Sequence, residues 1–275
     1  MSSSCSTRSR ARSAARGRNA DVHIESVGSG PDLILIHGWA MHGGIFAPLT
    51  PLLAARFRVH VVDLPGHGYS ADSGESIDPT LCAAQLAARL PSAIWVGWSF
   101  GGLVSLRAAL DAPDRVRGVV EISSSPRFVS MADWPHGVPA DIFIQFGEGL
   151  IGNYRATIER FLTLETLGSA QAQDELRELK AHVFERGEPS LAVLEQGLEI
   201  LQTTDLRGAL DTLSTPNLWI AGRRDRLVPP AAMRWAAQRN ARGEFMQIDS
   251  GHAPFLKHAH EVAGAIFAFA DRLRA

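Results

Sequence analysis

The stretch AIWVGWSFGGLVSLRAAL, residues 93–110, combines two patterns around a single serine. Residues 93–96 form an apolar run of the length of a buried strand, and residues 103–112 have the apolar spacing of a helix. Between them Gly97, Ser99 and Gly101 give the pattern G-x-S-x-G, which is typical of a nucleophile elbow. Glycine tolerates the crowding and the unusual dihedral angles of so sharp a turn. The motif alone leaves open a plain strand–helix turn or a phosphate site at a helix N-terminus.

Strands and helices alternate on both sides of this stretch. The sequence predicts strands at 22–27, 33–37, 58–62, 93–96, 116–122, 217–221 and 244–248. It predicts helices between them at 48–56, 81–90, 103–112, 230–239 and 259–274. The turn-forming residues 28–32 favour an antiparallel entry into the sheet. The alternation stops at about residue 127, and helical patterns such as 154–167, 170–186 and 191–202 dominate as far as residue 213.

This order predicts an α/β fold, a mostly parallel, doubly wound sheet with an inserted helical cap. We expect the core at 21–126 and 214–275, the cap at 127–213, and a disordered basic leader at 1–20. The leader has five arginines and no acidic residue, and it lacks the apolar segment of a secretory signal. A targeting segment and a misassigned start remain alternatives for it.

The composition indicates an ordinary globular protein, with 45% hydrophobic and 20% charged residues. No apolar run reaches the roughly 18 residues that a membrane-spanning helix needs. Cys5 and Cys82 lie far apart and form neither a disulfide framework nor a paired metal motif. We therefore expect a soluble, cytoplasmic protein that binds neither nucleic acid nor membrane. We also expect a monomer, although composition does not determine the oligomeric state.

A serine becomes a good nucleophile only with a base to take its proton and an acid to orient that base. In chains with this elbow the acid and then the histidine follow the serine. His252 is the candidate base, because it directly follows a predicted strand, where ligand-binding loops of such sheets lie. Asp225, which also follows a strand, is the candidate acid, with an ion pair to neighbouring arginines as its alternative. Three other acids fit less well: Asp205 and Asp211 near the cap, and Asp249 close to His252.

Attack on a carbonyl also requires hydrogen-bond donors for the oxyanion. The backbone N–H of Phe100, next to the serine, is one candidate. The loop after an early strand should supply the other, and there we choose the N–H of Trp39. His37 is expected to brace this loop, and Trp98 to pack beside the acyl site. This chemistry needs no metal or organic cofactor.

With these residues in place the chain resembles the α/β-hydrolases from Val22 to its C-terminus. The segments that carry this resemblance are HGW at 37–39, DLPGHGYS at 63–70, the elbow, GRRDRLVP at 222–229 and the final GH at 251–252. Finer features resemble the BioH family of biotin-synthesis carboxylesterases. They are LIHGW at 35–39, IWVGWS at 94–99, SSSP at 123–126, ERFL at 159–162 and GLEILQTTDLR at 197–207.

The BioH family hydrolyses the methyl ester of pimeloyl-acyl carrier protein and releases methanol. The resemblance implies a serine esterase of that activity, with an acyl carrier protein as partner. It implies a substrate site lined by Trp39, Ser99, Phe100, Phe161, Leu162, Thr163, Leu164 and Glu165. It also implies carrier-protein contacts at Arg160 and Arg177, although their acidic neighbours fit a solvated helix face equally well. Two alternatives stay open: a general hydrolase of small esters, lactones or ring-cleavage products, and a ligand-binding homologue without turnover.

Overall fold

The structure is a computed structural model that describes residues 22–274 except 75, 168 and 170, so the expected leader at 1–20 lies outside the described residues. The described strands form one seven-stranded sheet in the order β1-β3-β2-β4-β5-β6-β7. Their bounds are β1 Ile24–Gly28, β2 Asp32–Ile36, β3 Arg58–Val62, β4 Ala93–Trp98, β5 Val116–Ile122, β6 Asn217–Gly222 and β7 Gly243–Ile248.

Strand β1 is the antiparallel edge of an otherwise parallel sheet. It pairs with β3, with Ile24 opposite Val62 and Gly28 opposite Arg58. Strand β2 lies between β3 and β4 and is parallel to both. The antiparallel entry is therefore correct, but β2 is not its partner, because both edges of β2 are already hydrogen-bonded. The predicted α/β class with a mostly parallel sheet is confirmed.

Ten α-helices accompany the sheet in the described part of the chain. Their bounds are α1 Thr50–Ala54, α2 Pro79–Arg89, α3 Phe100–Asp111, α4 Ala140–Gly152, α5 Tyr154–Thr166, α6 Ala172–His182, α7 Leu191–Thr203, α8 Pro230–Gln238, α9 Pro254–Lys257 and α10 Ala259–Arg272. Helices α4 to α7 follow one another between β5 and β6, and the described residues between these helices add no strand to the sheet. Helix α4 has three glycines and a polar face with Asp141, Gln145 and Glu148, and it was not singled out from the sequence. None of the described helices is long and apolar enough to cross a membrane.

The parallel strands end at one edge of the sheet, and this edge carries the candidate site. Strand β4 is buried along its whole length, because helices cover both faces of such a sheet. Strands β2, β4, β6 and β7 run in the same direction, so the loops after them meet. These loops carry the four residues singled out from the sequence, Trp39, Ser99, Asp225 and His252.

Candidate active site

Ser99 lies in a strained turn between β4 and α3. Its φ of 54° and ψ of −119° are rare for a residue with a side chain. The turn is held on both sides, since the N–H of Ser99 donates to the carbonyl of Ile122 at 3.0 Å. The hydroxyl of Ser124 donates to the carbonyl of Ser99 at 2.8 Å. Surrounding contacts therefore fix the strained conformation that an elbow requires.

Two of the neighbouring glycines are required by close backbone approach. A Cβ on Gly97 would lie 2.4 Å from the carbonyl oxygen of Gly101. A Cβ on Gly101 would lie 2.3 Å from the carbonyl oxygen of Ile36 in β2. Side chains at these positions would push the first turn of α3 away from the sheet. The glycines thus allow the helix that follows Ser99 to pack directly on the neighbouring strand.

The structure brings Asp225 and His252 together at the ends of β6 and β7. Oδ2 of Asp225 accepts a hydrogen bond of 2.8 Å from Nδ1 of His252. Oδ1 of Asp225 accepts from the N–H groups of Leu227 and Val228, each at 2.9 Å. Both side chains are buried. Asp225 therefore orients the ring of His252 and leaves its Nε2 edge for the proton of a nucleophile.

Two of the three arginines beside Asp225 form ion pairs with a different acid. Arg223 and Arg224 contact the carboxylate of Asp249 at 2.7 and 3.0 Å. Asp249 is half exposed at the surface. The structure thus separates an outer group of charges from the buried pair of Asp225 and His252.

Trp98 joins the elbow to the histidine loop. Its Nε1 donates to the carbonyl of His252 at 2.9 Å, and its ring packs edge-on against Phe255. The ring of Trp98 also lies 5.6 Å from that of His252. Trp98 thus supports His252 directly. From the sequence we expected only that Trp98 packs beside the acyl site, so this contact was not foreseen.

The environment of His252 favours its protonated form. Burial of the ring opposes the charge and lowers the pKa, but the negative charge and hydrogen bond of Asp225 outweigh burial. Asp225 thus raises the pKa of His252 above its ordinary value of 6.5, and Glu165 contributes in the same direction only when it is ionised. A base of raised pKa takes a proton from a hydroxyl more readily, provided that it is neutral before the reaction.

The candidate oxyanion donors are buried, one at the start of α3 and the other in the loop after β2. Phe100 begins α3, so its N–H is one of the groups that a helix leaves without an internal acceptor. Trp39 follows β2, and the loop is braced by His37, whose Nδ1 donates to the carbonyl of Gly38 at 2.8 Å. Nε2 of His37 accepts from the N–H of Leu64 at 2.9 Å, which joins the loop after β2 to the loop after β3.

The indole of Trp39 connects the core with helices α5 and α7. Its Nε1 donates to the carbonyl of Leu194 in α7 at 3.0 Å. Its ring packs edge-on against Phe161 of α5 at 4.7 Å, and Phe161 in turn packs against Phe146 of α4. A Cβ on Gly197 would lie 2.5 Å from the indole, so α7 approaches Trp39 as closely as a glycine permits.

The five residues expected from α5 do not share one environment. Phe161 and Glu165 are one helical turn apart and face the core, Phe161 towards Trp39 and Glu165 towards His252. Leu162 is fully buried. Thr163 and Leu164 instead line a cavity of about 390 Å³ on the outside of α4 and α5. The structure therefore brings only part of the expected segment to the candidate site, with Phe161 against Trp39 and Glu165 near His252.

The two arginines expected to contact a carrier protein also differ. Arg160 is exposed and lines the same outer cavity as Thr163 and Leu164. Within the part of the chain that the structure describes, no ion pair is formed by Arg160. Arg177 is exposed as well, but it is paired with Asp174 on α6. Of these two arginines, Arg160 is therefore the one whose charge is not compensated by an acid among the described residues.

A buried ion pair between the segment that contains α4 to α7 and the end of β3 was not foreseen from the sequence. Asp63, at the end of β3, accepts from the N–H groups of Gly43 and Tyr69 at 2.7 and 2.8 Å. Nη1 of Arg186, after α6, contacts the same carboxylate at 3.2 Å. The guanidinium also stacks on the ring of Tyr69 at 4.7 Å. Asp63 opened a segment quoted for the family resemblance, but nothing in the sequence indicated its partner.

Comparisons with known proteins agree with this geometry. The sequence model of the alpha/beta hydrolase fold matches residues 31–259. A pimeloyl-[acyl-carrier protein] methyl ester esterase of Xanthomonas campestris pv. campestris is 51% identical over 253 residues, 92% of this chain and 100% of that protein. The protein of the same name from Stenotrophomonas maltophilia is 52% identical over 246 residues, 89% of this chain and 95% of that protein.

Solved structures of lower identity share the fold. A bromoperoxidase from Bacillus anthracis superposes with a TM-score of 0.81 at 24% identity, covering 91% of this chain and 95% of that one. An enol-lactonase from Burkholderia xenovorans superposes with a TM-score of 0.78 at 19% identity, covering 91% and 96%. The chain belongs to the α/β-hydrolase family and, within it, to the family of carboxylic ester hydrolases that the two methyl ester esterases represent.

Proposed function

We propose that this chain hydrolyses the methyl ester of pimeloyl-acyl carrier protein in biotin synthesis, with Ser99, His252 and Asp225 as its catalytic residues. The observation that supports this substrate is that about half of all residues are identical to those of esterases of that name, along nearly their full length. The buried Asp225–His252 hydrogen bond and the strained turn at Ser99 support the mechanism.

The first half of the reaction forms an acyl-enzyme. Oγ of Ser99 attacks the ester carbonyl, and its proton passes to Nε2 of His252. The carbonyl oxygen becomes negative and accepts hydrogen bonds from the N–H groups of Trp39 and Phe100. When the intermediate collapses, the C–O bond to the methoxy group breaks and His252 returns the proton, so that methanol leaves. Asp225 stays ionised and stabilises the imidazolium between these transfers.

The second half releases the acid. Water attacks the acyl carbonyl while His252 takes one of its protons, and the same two N–H groups stabilise the new oxyanion. Collapse breaks the bond to Oγ of Ser99, which recovers the proton from His252. The products are a free carboxyl group on the carrier-bound chain and the regenerated serine. Each step uses side chains, two backbone N–H groups and water.

We assign the segment 127–213 to substrate recognition and 21–126 with 214–275 to catalysis. Phe161 and Glu165 represent the inner, substrate-facing side of the segment. Arg160 is the stronger candidate for contact with an acidic carrier protein, because its charge is not compensated by an acid among the described residues. Arg177 would first have to leave Asp174. We place the reaction in the cytoplasm and assign it to a monomer.

A comparison of two substrates tests the proposed specificity. We expect kcat/KM to be higher for pimeloyl-acyl carrier protein methyl ester than for a short p-nitrophenyl ester. Arg160→Glu should lower kcat/KM for the carrier substrate about tenfold through weaker electrostatic attraction, and it should leave the small ester unaffected. Equal activity on both substrates would indicate a general hydrolase. Retention of the ester without turnover would indicate a ligand-binding homologue.

A further inference from the structure

Glu165 is a buried carboxyl group that the mechanism above leaves without a role. It lies on α5 with 2% of its surface exposed. Its Oε1 lies 4.0 Å from Nε2 of His252, on the edge of the ring opposite Asp225. Among the described residues, neither Oε2 of Glu165 nor Nε2 of His252 has a hydrogen-bond partner. A carboxyl group with one unpaired oxygen therefore lies near the unpaired nitrogen of His252, the atom that moves protons.

The position of Glu165 relative to His252 is fixed by the backbone as well. The N–H of His252 donates to the carbonyl of Glu165 at 3.1 Å. A Cβ on Gly251 would lie 3.0 Å from that same carbonyl oxygen. The end of α5 therefore packs directly on the histidine loop, and the carboxyl group is held near Nε2 by its own main chain.

The distance between the two groups suits one shared water molecule. At 4.0 Å the two atoms are too far apart for a direct hydrogen bond. A water that makes a hydrogen bond of about 2.8 Å to each would see them at an angle of about 90°. Such a water would give one proton to Nε2 and point its other O–H at the carboxyl group.

The charge state of Glu165 is set by its surroundings. Burial disfavours the charged carboxylate and raises the pKa of Glu165 to about 8. The positive charge of His252 opposes this shift, and the negative charge of Asp225 adds to it. From α6, Glu175 reaches the same loop, with its Oε1 accepting from the hydroxyl of Ser169 at 2.7 Å. Glu165 is thus a neutral acid near neutral pH, and its carbonyl oxygen can accept a hydrogen bond from water.

We propose that Glu165 orients the hydrolytic water against Nε2 of His252 in deacylation, a role that rests on the proposed serine mechanism. In this step the water oxygen bonds to the acyl carbon and one proton passes to Nε2. The other O–H donates to Glu165, which gains and loses no proton. The bond to Oγ of Ser99 then breaks, and the serine takes the proton from Nε2.

This role is specific to water. In acylation the nucleophile is the serine hydroxyl, and the departing methanol has a methyl group where water has its second hydrogen. Methanol therefore cannot use its own O–H both for Nε2 and for Glu165. Removal of the carboxyl group should slow attack by water and leave attack by methanol almost unchanged, which shifts the partition of the acyl-enzyme.

The test measures this partition for the full chain with p-nitrophenyl butyrate and added methanol. We expect Glu165→Leu to raise the ratio of methyl butyrate to butyrate about fivefold, the value of one hydrogen bond. Glu165→Gln, which keeps a carbonyl oxygen, should have the parent ratio. Glu175→Leu is the matched control, since it removes a buried carboxyl group of α6 that bonds Ser169, and it should also have the parent ratio.

The outcomes separate this proposal from the serine mechanism. An unchanged ratio in Glu165→Leu overturns the role of Glu165. In that case a loss of hydrolysis in Ser99→Ala still supports the serine mechanism. An equal shift in Glu165→Gln and Glu165→Leu overturns the neutral-acceptor role. A shift of the same size in Glu175→Leu assigns the effect to cap packing and overturns it as well. No hydrolysis by the parent chain overturns both proposals.

Discussion

Asp225→Asn replaces one oxygen by an amide nitrogen, and the structure determines how the new side chain must lie. Oδ1 accepts from the N–H groups of Leu227 and Val228 at 2.9 Å, while Oδ2 accepts from His252 at 2.8 Å. The two backbone donors require the amide oxygen at the Oδ1 position. The NH₂ group is then directed at Nδ1 of His252, which must become an acceptor and carry its proton on Nε2.

A ring with its proton on Nε2 cannot take the proton of Ser99. The wrong tautomer costs a Ser-His-Asp enzyme about 10⁴ in kcat, and we expect a loss of that order here. The assay is steady-state hydrolysis of p-nitrophenyl butyrate, with urea unfolding to verify that the variant is folded. Asp249→Asn is the matched control, because this exposed acid near His252 pairs with arginines instead. A loss below about tenfold in folded Asp225→Asn would refute the tautomer argument.

Three further predictions concern packing, the buried ion pair and pH. Gly101→Ala should lower the free energy of unfolding by at least about 3 kcal/mol in urea denaturation, because its Cβ would clash with main-chain oxygens. Gly264→Ala, with nothing within 4 Å of its Cβ, should not destabilise, and equal losses would contradict the clash. Arg186→Leu leaves the buried charge of Asp63 without its cation and should lower the free energy of unfolding by about 3 kcal/mol, measured the same way. A loss below about 1 kcal/mol is the value of an exposed ion pair and would contradict the effect of burial. His252 must be neutral to act as a base, and its pKa is raised. We therefore expect kcat/KM to fall as pH falls through a value above 6.5, and a fall with its midpoint below 6.5 would contradict this.

The sequence could predict the residues whose place follows from sheet topology alone. Asp225 and His252 each follow a parallel strand, as does Ser99, and parallel strands end at the same edge of a sheet. The chemistry of a serine nucleophile then requires one base and one acid. Strand ends and chemical need together were sufficient to select these residues as candidates, and the structure joins two of them, Asp225 and His252, by a hydrogen bond.

Features that depend on which surfaces meet could not be predicted in the same way. The pairing of β1 with β3 depends on which edge of the sheet is free. The ion pair of Arg186 with Asp63 joins residues 123 positions apart. Helical periodicity could have separated Phe161 and Glu165 from Thr163 and Leu164, since residues four apart share a face.

The central claim is that Ser99 carries the pimeloyl chain through an acyl-enzyme. The most direct measurement is the intact mass of pimeloyl-acyl carrier protein methyl ester after incubation with the parent chain or with folded Ser99→Ala. The account predicts that the parent converts the carrier-bound ester to the free acid and releases methanol, while Ser99→Ala leaves the ester intact. Demethylation by Ser99→Ala at the parent rate would contradict this claim. A carrier ester that stays intact with a parent chain that cleaves small esters would contradict it as well.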